Sequence, residues 1–254
     1  MIFELNYKLT ALSPLFPGSG SSIGAVQKQV LLDSNGYPVI KGSTLKGTMR
    51  YHLTRFLKSL PEEQKETFRF SSVHNPHDIF SSHQDKFQTR PDPIAIIFGS
   101  PQIPGQLFFS NARLNKQDYP DSSSFLIDTR TGTAIDRKLG VVRRNHLYTM
   151  ELIPAGVIFK GRIFGRGQGG AFLLDLNNKA PLFLVPLLMG LSLTTHIGGG
   201  KSRGLGACRI ETETLYIDDK LQDISKLSKL RDLWEQFIEL FPLRWEEEQG
   251  AKAI

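Results

Sequence analysis

The sequence predicts an α+β fold in which helices lie on one face of an antiparallel sheet. Apolar and polar residues alternate over residues 2–12, the pattern of a strand with one buried face. Apolar residues recur at helical spacing over residues 45–60, and residues 180–193 are apolar enough for a second buried helix. With the strands predicted between and after them, the order is strand, helix, strands, helix, strand, which is typical of such a sheet.

The N-terminal elements are bounded by clear turn residues. The first strand should end at Pro14, and a second strand is predicted over residues 26–33, closed by the turn Ser34-Asn35-Gly36. A helix should then begin at Ser43 and run to about residue 60. The Ser43 hydroxyl can cap this helix, because it can accept a hydrogen bond from a free N–H of the first turn.

Cations surround the predicted start of this helix. Lys41, Lys46 and Arg50 lie close to Gly42 and to the helix N-terminus, where unpaired N–H groups and the helix dipole attract anions. One interpretation is a phosphate site. The alternative is an ordinary turn with solvated lysines, and this segment alone does not decide between them.

Two polar segments interrupt the strands in the middle of the chain. The insertion at about 61–93 contains His74, His77 and His83, which are weak zinc candidates, while the alternative is a flexible segment with incidental histidines. We favour the second, because the insertion has no cysteine. Residues 115–147 are predicted to be a long polar loop, whose basic residues indicate either nucleic-acid contact or simple solvation.

The C-terminal third contains a glycine-rich loop between a helix and a strand. Residues 197–206 hold five glycines and two cations, a strand is predicted over 207–211, and an amphipathic helix over about 221–242. Gly200-Lys201-Ser202 ends like a Walker A motif. However, Thr195 occupies the position of its first glycine and a strand follows instead of a helix, so we do not predict nucleotide binding.

Composition favours an acidic partner outside membranes. The chain has 254 residues, a net charge of +6 and an isoelectric point of about 9.4, and nucleic acid is the commonest acidic partner. No apolar run is long enough for a membrane helix, and the N-terminus has no signal-peptide pattern. The lone Cys208 excludes an internal disulfide and fits the reducing cytoplasm, where we expect the protein to act.

Three motifs, in order, resemble the RAMP superfamily of CRISPR-associated proteins. Residues 38–50 match the pattern Pro-x-Ile-x-Gly-Ser-Ser-Leu-Lys-Gly-x-x-Arg, with Thr44 at the second serine. Residues 131–138, 147–148 and 151–156 form the second block, and the glycine-rich loop forms the third. The set is similar to the repeated backbone subunit of type III effector complexes.

The resemblance implies a ferredoxin-like core close to the RNA-recognition fold, within a single domain of residues 1–254. It implies guide RNA (crRNA), target RNA and other effector subunits as partners, with possible self-assembly into a filament-like backbone. The 115–147 loop would be a thumb with Ile135 or Leu139 as an apolar wedge between bases. The RNA-binding candidates are Lys28, Lys41, Ser43, Lys46, Arg50, Arg130, Arg137, Lys138, Gly199, Gly200, Lys201, Ser202 and Arg203.

The same resemblance gives a weak case for catalysis. Active members of this group cleave RNA with a metal-binding aspartate, and Gln27 occupies that position here, or Val26 if the alignment shifts by one. Asp33, which matches a second and non-catalytic acid, is the weak candidate that remains. We therefore predict no catalytic residue, no cofactor for RNA binding, and Mg²⁺ only if the chain is a nuclease.

Two alternatives stay open. The chain could be an endoribonuclease that uses His52 or His196 as a general acid–base to process guide precursors. It could also be a structural cap or adaptor that touches RNA weakly.

Overall fold

A computed structural model describes residues 2–22, 26–61, 93–99, 105–114, 119, 126–166, 173–174, 180–181, 183–223, 233–235 and 237–238 of the chain. The strands are β1 (Ile2–Ala11), β2 (Val26–Lys28), β3 (Val39–Ile40), β4 (Leu107–Phe109), β5 (Ala112–Leu114), β6 (Asp128–Ile135), β7 (Val142–Leu152), β8 (Ile158–Arg166), β9 (Leu173–Leu174), β10 (Ala180–Pro181), β11 (Cys208–Ile217) and β12 (Lys220–Leu221). The helices are α1 (Gly42–Lys58), α2 (Pro93–Phe98) and α3 (Leu184–Leu193), and Lys201–Arg203 form one 3₁₀ turn.

The main sheet has the strand order β12-β11-β1-β8-β5-β3, with β4 also paired to β8, and every pairing in it is antiparallel. The elements β1, α1, β4 with β5, β8, α3 and β11 follow one another as β-α-β-β-α-β. If β1 is counted as the first strand, β4 with β5 as the second, β8 as the third and β11 as the fourth, their order across the sheet is fourth, first, third, second. This is the ferredoxin-like arrangement, and it confirms the predicted α+β class.

The alternating pattern of β1 and the stripe of α1 form the two sides of the core. Along β1 every second side chain, from Phe3 to Ala11, is buried against the helices. Helix α1 buries one face and α3 is apolar nearly all round, as expected for a helix inside the core. Gly190 of α3 lies against Met49 of α1, and a Cβ there would lie 3.3 Å from the Met49 Cε.

A second, three-stranded sheet consists of β2, β7 and β6. Strands β6 and β7 form an antiparallel hairpin, so much of the predicted 115–147 loop is regular structure; we call Asp128–Leu152 the hairpin. Sequence periodicity missed β6 because its side chains are exposed or half-buried, which leaves no alternation of apolar and polar residues. Residues 115–118 and 120–125 lie outside the described residues.

Two further boundaries differ from the prediction. Leu221 lies in β12, so the C-terminal helix does not begin there. Asp218 and Asp219 have positive φ of 46° and 62°, the geometry of a two-residue hairpin turn that continues β11 into β12. Within the predicted helix, residues 233–235 and 237–238 are helical, and Trp234 and Phe237 are buried in the core. In the described part of the chain, no helix combines the length and hydropathy of a membrane span.

Candidate nucleic-acid interface

The first N–H group of α1 is bonded by a side chain from the main sheet region. Helix α1 begins at Gly42, one residue before the predicted Ser43, and no side chain of the N-cap residue Lys41 caps it. Instead, the Gly42 N–H donates to the Asn111 Oδ1 at 3.0 Å. Ser43 itself is exposed and makes no capping bond, so the predicted serine cap is wrong.

The glycine-rich loop is held against the segment that follows β1. The Gly199 N–H donates to the Phe16 carbonyl and the Gly206 N–H to the Pro14 carbonyl, both at 2.9 Å. Gly198 has φ of 84°, and a Cβ at this position would lie 2.6 Å from the Phe16 oxygen. At least part of the glycine content is therefore required by chain packing, while Lys201, Ser202 and Arg203 form an exposed turn at the loop's tip.

Phe16 links this loop to the base of the hairpin. Its ring packs against the main core and against a small satellite core of Met150, Leu152 and Leu205. The first two belong to β7 and the third to the glycine loop, so the loop and the hairpin share one apolar support. The structure thus brings the second and third sequence motifs together.

The hairpin projects an apolar tip between cations. Its exposed large apolar side chains include Ile135, 64% exposed, and Leu139, 73% exposed, together with Val141 and Val142. The turn is ordered by the Asp136 Oδ1, which accepts the N–H groups of Lys138 and Leu139 at 2.8 and 3.1 Å. Gly140 closes the turn with φ of 67°. The predicted cations Arg130, Arg137 and Lys138 are all exposed here.

Lys28 joins the hairpin from β2, which pairs in parallel with β7. Its Nζ lies 5.5 Å from the centre of the Tyr148 ring, and that ring covers Gly132 so closely that a Cβ there would lie 2.5 Å from the Tyr148 Cζ. Tyr148 therefore gives the Lys28 ammonium a weak cation–π contact beside the base of the hairpin.

The basic side chains of α1 divide between two sides of the helix. His52 lies near the glycine loop: burial lowers the pKa of His52, and the positive charges of Lys201 and Arg55, with His196, lower it further. Successive residues of a helix are about 100° apart, so Arg50 and His52 point about 160° apart. Lys46 lies on the Arg50 side, with its Nζ 5.8 Å from the Phe109 ring centre. Burial, and then the charge of Arg50, lower the pKa of Lys46. The structure therefore does not unite all the predicted cations.

The acidic and histidine candidates do not form a metal site in the described residues. The Asp33 Oδ1 accepts hydrogen bonds from the N–H groups of Asn35 and Tyr37 at 2.9 and 3.0 Å, so this carboxylate stabilises the turn that follows Leu32. No group of three or more His, Cys, Asp or Glu side chains suited to a metal occurs in that part of the chain. His74, His77 and His83 lie outside the described residues.

The family assignment rests on the sequence itself. A sequence model of the RAMP superfamily matches residues 8–209, which is most of the chain. The chain belongs to the RAMP superfamily. This confirms the resemblance drawn from its three motifs, all of which fall inside the matched range.

Solved structures support the same fold for this RAMP protein. One neighbour comes from "Cryo-EM structure of the Type III-B Cmr-beta bound to cognate target RNA", with 14% identity, a TM-score of 0.53, and coverage of 82% of this chain and 96% of that one. Another comes from the apo state of Cmr-beta, with 14% identity, a TM-score of 0.51, and coverage of 83% and 97%. No curated protein sequence matches the chain.

Sequence reasoning missed several residues that assemble this candidate interface. Phe16 and Asn111 carry no motif, and their partners lie far along the chain, so no local pattern could reveal them. Tyr148 was inside a recognised block, but its contact with Gly132 depends on the β6–β7 register, in which the two residues are paired.

Proposed function

We propose that the chain is a guide-RNA-binding backbone subunit of a type III CRISPR effector complex, acting in the cytoplasm on guide and target RNA. One observation carries the proposal: an apolar hairpin tip, flanked by exposed cations, stands on the same apolar support as the basic glycine loop. Cations can follow a phosphate backbone without reading sequence, while an apolar tip can enter between bases. Membership of the RAMP superfamily and the likeness to Cmr-beta chains support the assignment.

In this proposal the hairpin and the glycine loop both contact guide phosphates, and the hairpin tip also separates bases. Lys201 and Arg203 would contact guide phosphates from the exposed loop turn, and Arg130, Arg137 and Lys138 would contact them from the hairpin. Ile135 and Leu139 would separate neighbouring bases of the guide–target duplex. Other effector subunits, and further copies of this chain, would then extend the surface along the RNA. RNA binding of this kind needs no cofactor.

A guide-processing endoribonuclease is the second candidate, because the structure brings Lys201 and His196 near His52. The lowered pKa keeps the His52 imidazole neutral at neutral pH, as a general base requires. However, its Nε2 is enclosed and has no hydrogen-bond partner among the described residues, so RNA has no direct path to it. Enclosure of this nitrogen argues against His52 as the general base.

The hairpin tip should unstack bases of a guide–target duplex. We expect 2-aminopurine placed in the guide strand to brighten at regular positions when the protein binds, since unstacking relieves its quenching. Replacing both apolar tip residues, Ile135→Ser and Leu139→Ser, should remove the brightening and leave the fold intact, because both side chains are exposed. Leu32→Ser, at another exposed leucine, is the matched control. An unchanged signal at every position with the natural protein would contradict the proposal.

The natural protein should not cut target RNA. Gln27 in β2 stands where active relatives have the metal-binding aspartate, and an amide is a poor ligand for Mg²⁺. We expect assembled complexes with guide and matched target to leave the target intact in magnesium, and Gln27→Asp to introduce cutting. Regular cutting by the natural protein that Asp33→Ala abolishes would contradict this prediction and make Asp33 a metal ligand.

A further inference from the structure

The main sheet has a second face, opposite to the one that α1 and α3 cover. Residues directly paired across antiparallel strands point to the same face, so the register identifies the side chains that share this open face. Glu4 pairs with Tyr216 on one side and with Phe164 on the other, and Phe164 pairs with Phe108. Four strands therefore present one row of side chains, three of which are aromatic.

Two of these rings form a stacked pair that remains open to solvent. The ring centres of Phe108 and Phe164 are 5.5 Å apart, with an angle of 22° between the ring planes. Phe108 is 60% exposed. The guanidinium carbon of Arg162 lies 4.9 Å from the centre of the Phe164 ring. Flat rings and a guanidinium plane at this spacing offer a surface on which another planar group can stack.

The charges of the open face are predominantly positive. By the same register its cations are Lys8, Arg113, Lys160, Arg162, Arg166 and Arg209. Three carboxylates, Glu4, Glu211 and Glu213, each pair with one of these cations at 3.1–3.6 Å. The formal charge of the face is thus +3 among the described residues. These ion pairs are partly exposed and therefore weak, so their cations can exchange a carboxylate for a phosphate at little cost.

We propose that the open face binds single-stranded nucleic acid, with unpaired bases stacked on Phe108 and with Arg162 and Arg166 near the phosphates. Aromatic rings and guanidinium planes hold unpaired bases in this way on other open sheets. A protein partner would have to bury Lys8, Lys160 and the three glutamates of this face, whereas lysine and glutamate are depleted in protein interfaces. This surface lies on the opposite face of the sheet from α1, and it goes beyond the guide contacts of the hairpin and the glycine loop.

Binding of the full-length protein to a labelled RNA strand of about twelve nucleotides tests this inference. We expect Phe108→Ala with Phe164→Ala to weaken binding to the single strand about tenfold and to leave binding to a duplex unchanged, because paired bases cannot stack on the rings. On an abasic strand of the same length, the natural protein should bind no better than the double variant. A photoreactive uridine in the strand should crosslink to the peptide that contains Phe108.

Two controls keep the outcome decisive. Phe164→Tyr retains a ring and should bind like the natural protein, and Ile2→Ala removes an exposed apolar side chain of the same face without removing a ring. Should the double variant misfold, Phe108→Ala alone replaces it, because that side chain is already largely exposed. Unchanged single-strand binding overturns the inference, as does an equal loss with Ile2→Ala. Unchanged RNA binding together with altered self-association in sedimentation would also overturn it, because the face would then bind protein.

Discussion

RNA binding by this protein should weaken about 300-fold between 50 mM and 200 mM salt if about six phosphates are neutralised. The physical reason is counterion release: each Lys or Arg that replaces a condensed cation on a single strand contributes about 0.7 to the slope of log affinity against log salt. The proposed guide surface has enough exposed cations for this, namely Lys28, Arg130, Arg137, Lys138, Lys201 and Arg203. The measurement is a salt titration by filter binding on two RNAs of unrelated sequence.

The slope should respond to hairpin cations and not to remote ones. Replacing Arg130, Arg137 and Lys138 by Ala should lower the slope by about 2, equally for both RNAs. Lys58→Ala, at an exposed lysine in the last turn of α1, should leave it unchanged. A salt-independent affinity, or a loss confined to one RNA, would mean that bases and not phosphates provide the binding energy.

The sequence predicted the parts of the fold that depend on local periodicity. The alternation of β1 and the apolar stripe of α1 are both found as expected, since each arises from burying one face of a regular element. Pro186 lies in the first turn of α3, where its missing N–H costs nothing. The ferredoxin-like arrangement of the sheet was implied by the family resemblance and not by these patterns.

The missed features depend on contacts that are distant in sequence. Asn111 closes α1 from a position 69 residues away, and the Phe16 carbonyl accepts a hydrogen bond from Gly199. The open face is visible in the sequence of β8, where every second residue on the solvent side is basic or aromatic, namely Lys160, Arg162, Phe164 and Arg166. An exposed phenylalanine among cations is visible in that alternation once the face of the strand is known.

Gly42→Ala should destabilise the protein by about 2–3 kcal/mol, although alanine is the better helix former. A Cβ at this position would lie 2.0 Å from the Phe109 oxygen, 2.7 Å from its carbonyl carbon and 2.8 Å from the Ser110 oxygen. All three are backbone atoms of the main sheet region, so no flexible side chain can move aside. The change would also push the Gly42 N–H away from the Asn111 Oδ1 that closes the helix.

Gly47→Ala in the same helix is the matched control. Nothing lies within 4 Å of a Cβ at Gly47, so the substitution should stabilise the protein by about 0.5–1 kcal/mol through helix propensity alone. Urea unfolding of the two variants should therefore give free-energy changes of opposite sign. If the Gly42→Ala protein instead kept its stability and lost RNA binding, Gly42 would be required because RNA approaches the backbone closely there. Loss of stability would show that Gly42 is required because the backbone at Phe109 packs directly against it.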